Sequence, residues 1–147
     1  MTQVDFYILP DQHTGAREAF ACRVIEKAYQ KGHYVYVHTE STEQARYLDE
    51  KLWTFRDGSF VPHFLAEEAG ETNTPVLIGH QGEPPLEADV LVNLAKDVPL
   101  FFSRFLRVAE IIGEDEEQKR HGRERFRFYR DRGYPLNSHK IESGNAS

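Results

Sequence analysis

The sequence predicts an α/β fold with three layers (α/β/α), in which helices cover both sides of a Rossmann-like, mostly parallel sheet of about five strands. Short apolar segments alternate with helical patterns, and turn-forming residues separate them. Strands that alternate with helices in this way pair in parallel through right-handed crossovers. The length of 147 residues suits one hydrophobic core. We therefore expect a single domain over residues 1–140 and a flexible tail over residues 141–147.

Two strand–helix pairs are predicted in the first half of the chain. Pro10 ends the first strand, and Thr14 is the predicted cap of the helix that follows it. Ser41 and Gln44 have the spacing of a capping box at the start of the second helix. The predicted segments are residues 4–9 (strand), 15–30 (helix), 33–39 (strand) and about 42–55 (helix).

The second half of the chain is predicted to be less regular. Residues 56–74 show no clear periodicity and are predicted as an irregular segment. Pro99 opens a short helix, and the chain beyond Tyr134 is predicted to be extended. The remaining predicted segments are residues 75–79 (strand), 89–94 (strand), 98–105 (helix), 107–112 (strand) and a basic helix within 118–133.

Composition and charge argue against several classes of protein. No apolar run is long enough to cross a bilayer, and the N-terminal residues lack the features of a signal peptide. The single cysteine, Cys22, has no partner for an internal disulfide and is expected to be buried. These features predict a cytoplasmic protein. A net charge of −6 argues against general affinity for nucleic-acid phosphates.

The patterns that indicate an enzyme are missing from the sequence. The turn after the first predicted strand, residues 10–15, has one glycine and no phosphate-binding loop. None of the seven histidines has the spacing of a helical metal pair, and no nucleophile elbow occurs. We therefore expect no cofactor, no metal and no catalytic residue. Fold class alone does not decide the ligand, so a nucleotide-dependent activity stays open as an alternative.

The basic segment 118–133 is unusual in this acidic chain. It holds seven Lys or Arg residues against two acids, whereas residues 1–113 hold ten basic and seventeen acidic ones. The residues that share one face in a helix are Lys119, Arg123, Phe126, Arg127 and Arg130. Guanidinium groups beside an aromatic ring suit a ligand with both a carboxylate and an apolar group. A solvated helix face and a site for single-stranded nucleic acid are the alternatives.

A second candidate surface is the aromatic segment 53–64. It contains Trp53, Phe55, Phe60 and Phe64, at the end of a predicted helix and in the residues after it. Loops normally run over the protein surface, so these side chains either fold back into the core or face a partner. Trp and Phe are typical anchors of protein interfaces. The sequence leaves both interpretations open.

The sequence resembles the chi subunits of bacterial DNA polymerase III. The resemblance covers nearly the whole chain and is carried by short segments that occur in the same order and at similar spacing. The matching segments are FYIL in the first strand, ARYLDEKLW at 45–53, SFVPH at 59–63, the pattern RERF…YR…G within 123–133, and Leu136-Asn137. Each segment is short, but together they are fairly specific.

The resemblance implies a non-catalytic adaptor of the replicative polymerase. Chi subunits pair with the psi subunit, which attaches them to the clamp loader, and they bind the acidic C-terminal tail of the single-stranded-DNA-binding protein. Similarity assigns residues to both partners. Those expected at psi are Trp53, Phe60, Val61 and Pro62, and those expected at the tail are Ile112, Lys119, Arg123, Phe126, Arg127 and Arg130. Direct binding of single-stranded nucleic acid by the basic helix is the alternative.

The tail residues have distinct expected roles. Arg123 would hold the terminal carboxylate in a bidentate fork. Phe126 and Ile112 would form the walls of a pocket for the ring of the last tail residue. Lys119 and Arg127 would attract the aspartates of the tail, and these exposed charges would contribute less than the fork because salt screens them.

Overall fold

The structure is a computed structural model that describes residues 1–10, 15–69, 74–82, 84, 89–113 and 115–142. Within these residues one sheet of seven strands lies at the centre, and every strand pairing in it is parallel. The strands are β1 (Gln3–Ile8), β2 (Val35–His38), β3 (His63–Leu65), β4 (Val76–Gly79), β5 (Val90–Asn93), β6 (Arg107–Ile112) and β7 (Leu136–Lys140).

The helices connect strands that lie in the order β3-β4-β2-β5-β6-β1-β7 across the sheet. They are α1 (Ala16–Gln30), α2 (Thr42–Thr54), α3 (Ala66–Ala69), a 3-10 helix (Phe102–Arg104) and α4 (Glu116–Asp131). In register, Val4 of β1 lies opposite Val108 of β6 on one side and Leu136 of β7 on the other. The chain therefore begins near one edge of the sheet, crosses to the other edge and returns.

Helices cover both faces of the sheet, which confirms the predicted α/β/α architecture. Alternate residues of a strand point to opposite faces. In β2, Val35 and Val37 pack in the core cluster beneath α1 and α2, whereas Tyr36 packs in the aromatic cluster beneath α4. Cys22 is a free thiol, fully buried in the first cluster, as the sequence predicts.

The sequence predicts about five strands, and the structure adds β3 and β7. Strand β3 has only three residues and lies in the segment that is predicted to be irregular. Strand β7 has a polar sequence in which the last four residues are exposed, so it lacks the apolar alternation typical of a strand. Both strands lie at an edge of the sheet. They are extended because one neighbouring strand pairs with them, and not because of their own pattern.

The starts of α1 and α2 show two ways of beginning a helix. The Ser41 hydroxyl accepts a hydrogen bond from the Gln44 backbone N–H at 3.1 Å, and the Gln44 amide oxygen accepts one from the Glu40 N–H at 2.8 Å. The predicted capping pattern of α2 is therefore confirmed. Helix α1 begins after Gly15, whose φ of 87° is a conformation that favours glycine. The predicted cap Thr14 lies outside the described residues.

The C-terminal segment continues from β7. Ile141 is half-buried, and its backbone N–H donates a hydrogen bond to the Ile8 carbonyl at 2.9 Å. The description of the chain ends at Glu142, so residues 143–147 of the predicted tail lie outside the described residues. The single domain and its tail therefore stay predictions.

Candidate binding surfaces

Helix α4 is the predicted basic helix. Asp115 caps it, because its carboxylate accepts a hydrogen bond from the Gln118 backbone N–H at 2.9 Å. Glu116 and Glu117 form the first turn, where negative charge is favoured by the helix dipole. The helix therefore begins slightly before the basic segment, at the acidic residues that precede it.

The packing of α4 on β6 decides which of its residues face solvent. Gly122 lies so close to Ile112 that a Cβ atom there would be 2.5 Å from the Ile112 Cδ1 atom, so a larger residue would require Ile112 to move. The buried residues of the helix are Gly122, Arg125 and Tyr129. Ile112 is half-buried beside the helix. Ile112 therefore lies next to α4 at Gly122.

The residues predicted to bind the tail form one surface, which we refer to as the α4 surface. It consists of the exposed Arg123, Arg127 and Arg130 and the half-buried Ile112, Lys119 and Phe126. Phe126 packs against Phe6 with ring centroids 5.3 Å apart. Arg130 forms an ion pair with Asp131 at 3.1 Å. Arg123 and Arg127 form no hydrogen bond or ion pair with another described residue, so their guanidinium groups are available beside a partly exposed ring.

A buried ionic cluster lies beneath the α4 surface, and the sequence predictions miss it. The Arg125 Nε atom donates to Glu110 Oε1 at 2.7 Å, and the two side chains are 4% and 0% exposed. The Tyr129 hydroxyl donates to Glu110 Oε2 at 2.7 Å, and Asn93 Nδ2 donates to the same oxygen at 3.0 Å. Arg125 also donates to the Lys96 carbonyl at 3.0 Å. The cluster therefore joins α4 to β5 and β6.

Burial fixes the protonation of the tyrosine in this cluster. Loss of solvation, together with the charge and the hydrogen bond of Glu110, raises the pKa of Tyr129 well above its ordinary value. Tyr129 therefore stays protonated and remains a donor to Glu110. The sequence does contain a signal for the cluster, because Glu110 is an acidic residue inside the apolar strand Arg107–Ile112 and requires a buried partner.

The aromatic segment forms an exposed patch near the opposite edge of the sheet. Trp53 at the end of α2 is 47% exposed, and Phe60 in the loop after it is 67% exposed. Their ring centroids are 5.5 Å apart. Pro62, two residues after Phe60, is half-buried. We refer to Trp53, Phe60 and Pro62 as the aromatic patch. Phe64 is also exposed, but strand alternation places it on the opposite face of β3 from His63, whose ring packs against Trp53.

Val61 does not lie on the aromatic patch where the sequence prediction places it. Its side chain is fully buried in the core cluster beneath α1 and α2, so it does not reach the surface. The loop around it is fixed by Glu26 of α1, which is buried and accepts hydrogen bonds from Arg56 and Ser59. These contacts hold the loop against the domain and leave the Phe60 ring on the outside.

No group of three or more His, Cys, Asp or Glu residues in the described part of the chain is arranged to hold a metal ion. No helix among the described residues combines the length and the apolar character that a membrane span requires.

The fold defines the class of protein, an open and all-parallel α/β domain with helices on both faces. The crystal structure of T4 UvsW contains a similar arrangement, with a TM-score of 0.63 over 95% of this chain and 41% of that chain. The C-terminal domain of the DEAD-box protein Dbp5 gives a TM-score of 0.60 over 98% of this chain and 93% of that one. The sequence identities are 11% and 14%, so the likeness shows the fold alone.

Sequence comparison then identifies the family. The family described as "DNA polymerase III chi subunit, HolC" matches residues 1–137. The DNA polymerase III subunit chi of Pseudomonas aeruginosa is 45% identical over 142 residues, which are 96% of this chain and 98% of that protein. The proteins of the same name from Haemophilus influenzae and Escherichia coli are 33% and 32% identical, over 92% and 94% of this chain and 95% and 97% of theirs. The chain therefore belongs to the DNA polymerase III chi subunit family, and the resemblance predicted from the sequence is confirmed.

Proposed function

We propose that this DNA replication protein is a non-catalytic adaptor with two binding surfaces. The α4 surface binds the acidic C-terminal tail of the single-stranded-DNA-binding protein, and the aromatic patch binds the psi subunit. Through psi, the adaptor connects the clamp loader of the bacterial cytoplasm to single-stranded DNA that is coated by its binding protein. In this role its contact with DNA is indirect.

One observation carries the tail proposal, namely that Arg123 lies almost one turn before Phe126 on α4 and directly after Gly122, which packs on Ile112. Arg123 is exposed and forms no ion pair with a described residue, whereas Phe126 and Ile112 are half-buried parts of the aromatic core cluster. A planar guanidinium group binds a carboxylate through two parallel hydrogen bonds. Apolar side chains next to it receive an aromatic ring. A peptide that ends in phenylalanine carries a carboxylate and an aromatic ring on the same last residue, so it can bind the guanidinium group and the apolar side chains together.

The other cations of the α4 surface attract the aspartates of the tail. Arg127 lies one turn after Arg123, and Lys119 lies one turn before it, so the three charges line one side of the helix. Attraction between exposed charges acts over several ångströms but is screened by salt, so each contributes less than the Arg123 fork. Arg130 is expected to contribute least, because Asp131 neutralises part of its charge at 3.1 Å.

The aromatic patch supports the proposal for psi. Trp53 and Phe60 expose large apolar rings to water, an arrangement that becomes favourable when a partner covers them. Both positions are held firmly, one at the end of α2 and the other in a loop that Glu26 anchors. Trp is among the residue types that most often dominate the energy of an interface. Val61 supports this surface from the core and is not expected to touch psi.

A synthetic peptide tests the α4 surface directly. We expect calorimetry to detect binding of an acidic peptide that ends in phenylalanine. The same peptide with an amidated C-terminus lacks the final negative charge and should bind much more weakly. Arg123→Ala should weaken binding of the free-acid peptide about tenfold or more, since hydrogen bonds to a charged group contribute about 1.5–3 kcal/mol.

Arg120→Ala is the matched control for this experiment. Arg120 is exposed on the same helix, but it lies outside the α4 surface and pairs with Glu117 at 3.9 Å. The control should bind the peptide as the wild type does. Equal binding of the two peptide forms, or equal effects of the two substitutions, would contradict the proposal.

A further inference from the structure

We propose that a groove along α1 binds single-stranded nucleic acid directly, on the face of the sheet opposite α4. The groove has a volume of about 500 Å³ and lies between α1 and the strands β1 and β6. Its floor is apolar and includes Tyr7, Phe20 and Val24. Its rim is cationic and consists of Arg23, Lys27, Lys31 and Arg107. We refer to these residues as the α1 groove.

Three of the cations follow one another along the same side of α1. Arg23 and Lys27 are four residues apart, and Lys31 follows at the same interval as the C-cap of the helix. This spacing places the Cα atoms of neighbouring cations about 6 Å apart, so that the three cations form a row along the helix. Lys27 and Lys31 are exposed, and their side chains form no ion pair with a described residue. The helix dipole alone favours cations at this end of a helix, so this row of cations does not by itself indicate a ligand.

The groove is longer than a site for a small anion. A second cavity of about 230 Å³ shares Phe20 and Arg23 with the first and adds Lys51. Together the two cavities follow α1 from Lys31 to Ala16, a distance of about 22 Å at the rise of an α-helix. A linear polyanion of several units fits this length, with a cation near each unit.

The acidic side chain that lines the larger cavity does not cancel these charges. Asp5 lies 3.3 Å from Arg107 and 3.1 Å from His139, so it is already paired. Glu142 lines the smaller cavity together with Arg23 and Lys51. The excess positive charge of the groove therefore comes from the lysines of α1.

The aromatic rings favour nucleic acid over an acidic peptide as the occupant. Tyr7 lies next to Phe20 and His139, with centroid distances of 5.4 Å and 4.9 Å, and the rings of Tyr7 and His139 are stacked at 18°. His139 lies on the edge strand β7 with its side chain 46% exposed, so it places an exposed aromatic ring next to Tyr7 of the groove, where a base could stack. Cations beside stacking rings are the usual combination in proteins that bind single strands. A chain of carboxylates would use only the cations.

Binding of fluorescent oligothymidylate, measured by anisotropy at low salt, tests this inference. The variant Lys27→Glu/Lys31→Glu should lose about tenfold or more in affinity, and the slope of log K against log salt should fall by about 1.4, since each phosphate contact of a single strand contributes about 0.7. The matched control is Arg46→Glu/Arg104→Glu, which changes the net charge equally at exposed positions outside the groove. The control should bind like the wild type.

Four results would overturn the inference. The first would be failure of the wild type to bind the oligonucleotide, and the second an equal loss of affinity in both double variants, which would reflect overall charge only. The third would be loss of binding in Arg123→Ala while the groove variant retains it, which would place the strand on the α4 surface. The fourth would be tighter binding of polyglutamate than of oligothymidylate, which would make the groove a peptide site. The tail peptide should bind Lys27→Glu/Lys31→Glu normally, so the adaptor proposal stands or fails separately.

Discussion

The buried pair of Glu110 and Arg125 shows how strongly one ionised side chain depends on its partners. Both groups are almost completely removed from water, and such burial costs several kcal/mol per ion unless hydrogen bonds replace the lost hydration. Glu110 receives donors from three side chains, and Arg125 also reaches a backbone carbonyl. The cluster is satisfied only as a unit, so removal of one member leaves the others without partners.

Two arginines on the same helix should therefore respond differently to the same substitution. Arg125→Met leaves Glu110 charged and buried without its counter-ion, and we expect the free energy of unfolding to fall by about 3–5 kcal/mol. Arg123→Met changes an exposed side chain and should alter that free energy by less than about 0.5 kcal/mol. Urea denaturation of both variants measures the difference. Similar stabilities would mean that the buried ion pair contributes little to the fold.

Helical periodicity places these two arginines on different sides of α4, but it does not show that Arg125 is buried. Both belong to the run RERF, and both count as positive charge in the basic segment. The rotation of α4 about its axis turns Arg123 to solvent and Arg125 to the core, and Gly122 lies on the side that packs closely on Ile112. Helical periodicity was enough to place Arg123, Phe126 and Arg127 on one side. It did not show that the other side buries a charge, because that depends on Glu110 in a different element.

At the scale of elements, the sequence predicts long segments well and edge strands poorly. The helices α1 and α2 are close to their predicted positions, because each buries one side and so carries a regular apolar pattern. The strand β1 is also close to its predicted position, because it is buried on both faces and its sequence is mostly apolar. Helix α4 was predicted from its charged and aromatic residues at helical spacing. The strands β3 and β7 have no such pattern, since an edge strand is held by backbone hydrogen bonds to its single neighbour. The loop before β3 also lacks a regular apolar pattern, so the sequence did not predict that Val61 is part of the core.

Two neighbouring residues of that loop provide a test of the aromatic patch. Phe60→Ala removes an exposed ring, and we expect it to weaken psi binding by about 2 kcal/mol without changing stability. Val61→Ala removes two methyl groups from the core, and the free energy of unfolding should fall by about 2 kcal/mol while psi binding is retained. Co-elution with psi measures the first effect and urea denaturation the second. Undisturbed co-elution of Phe60→Ala would count against the patch as the psi site.

At the scale of the whole molecule, the two proposed surfaces are well separated. Strand β3, beside the aromatic patch, is the first in the sheet, and β6, beneath α4, is the fifth. Adjacent strands are about 4.8 Å apart, so about 19 Å of sheet lies between them. The two surfaces also lie on opposite faces, because α2 and α4 pack on different core clusters. A ligand on one surface therefore leaves the other accessible.

This separation predicts that psi and the tail peptide bind independently. Calorimetric titration of the peptide into the protein alone and into its complex with psi should give the same Kd. Coupling requires differential contacts or a second conformational state, and the geometry of the sheet offers no shared contact. A change in Kd of more than about fivefold, or about 1 kcal/mol, would reveal coupling between the two sites.

The single thiol in the sequence has a practical consequence for following this protein in an assembled complex. Cys22 has no exposed surface, and burial raises its pKa to about 12, so the reactive thiolate is not formed in the folded state. A cysteine introduced at an exposed position would therefore be the only one to react with a maleimide dye. Fluorophores attached in this way would let energy transfer report the arrival of each partner, with the natural cysteine left in place.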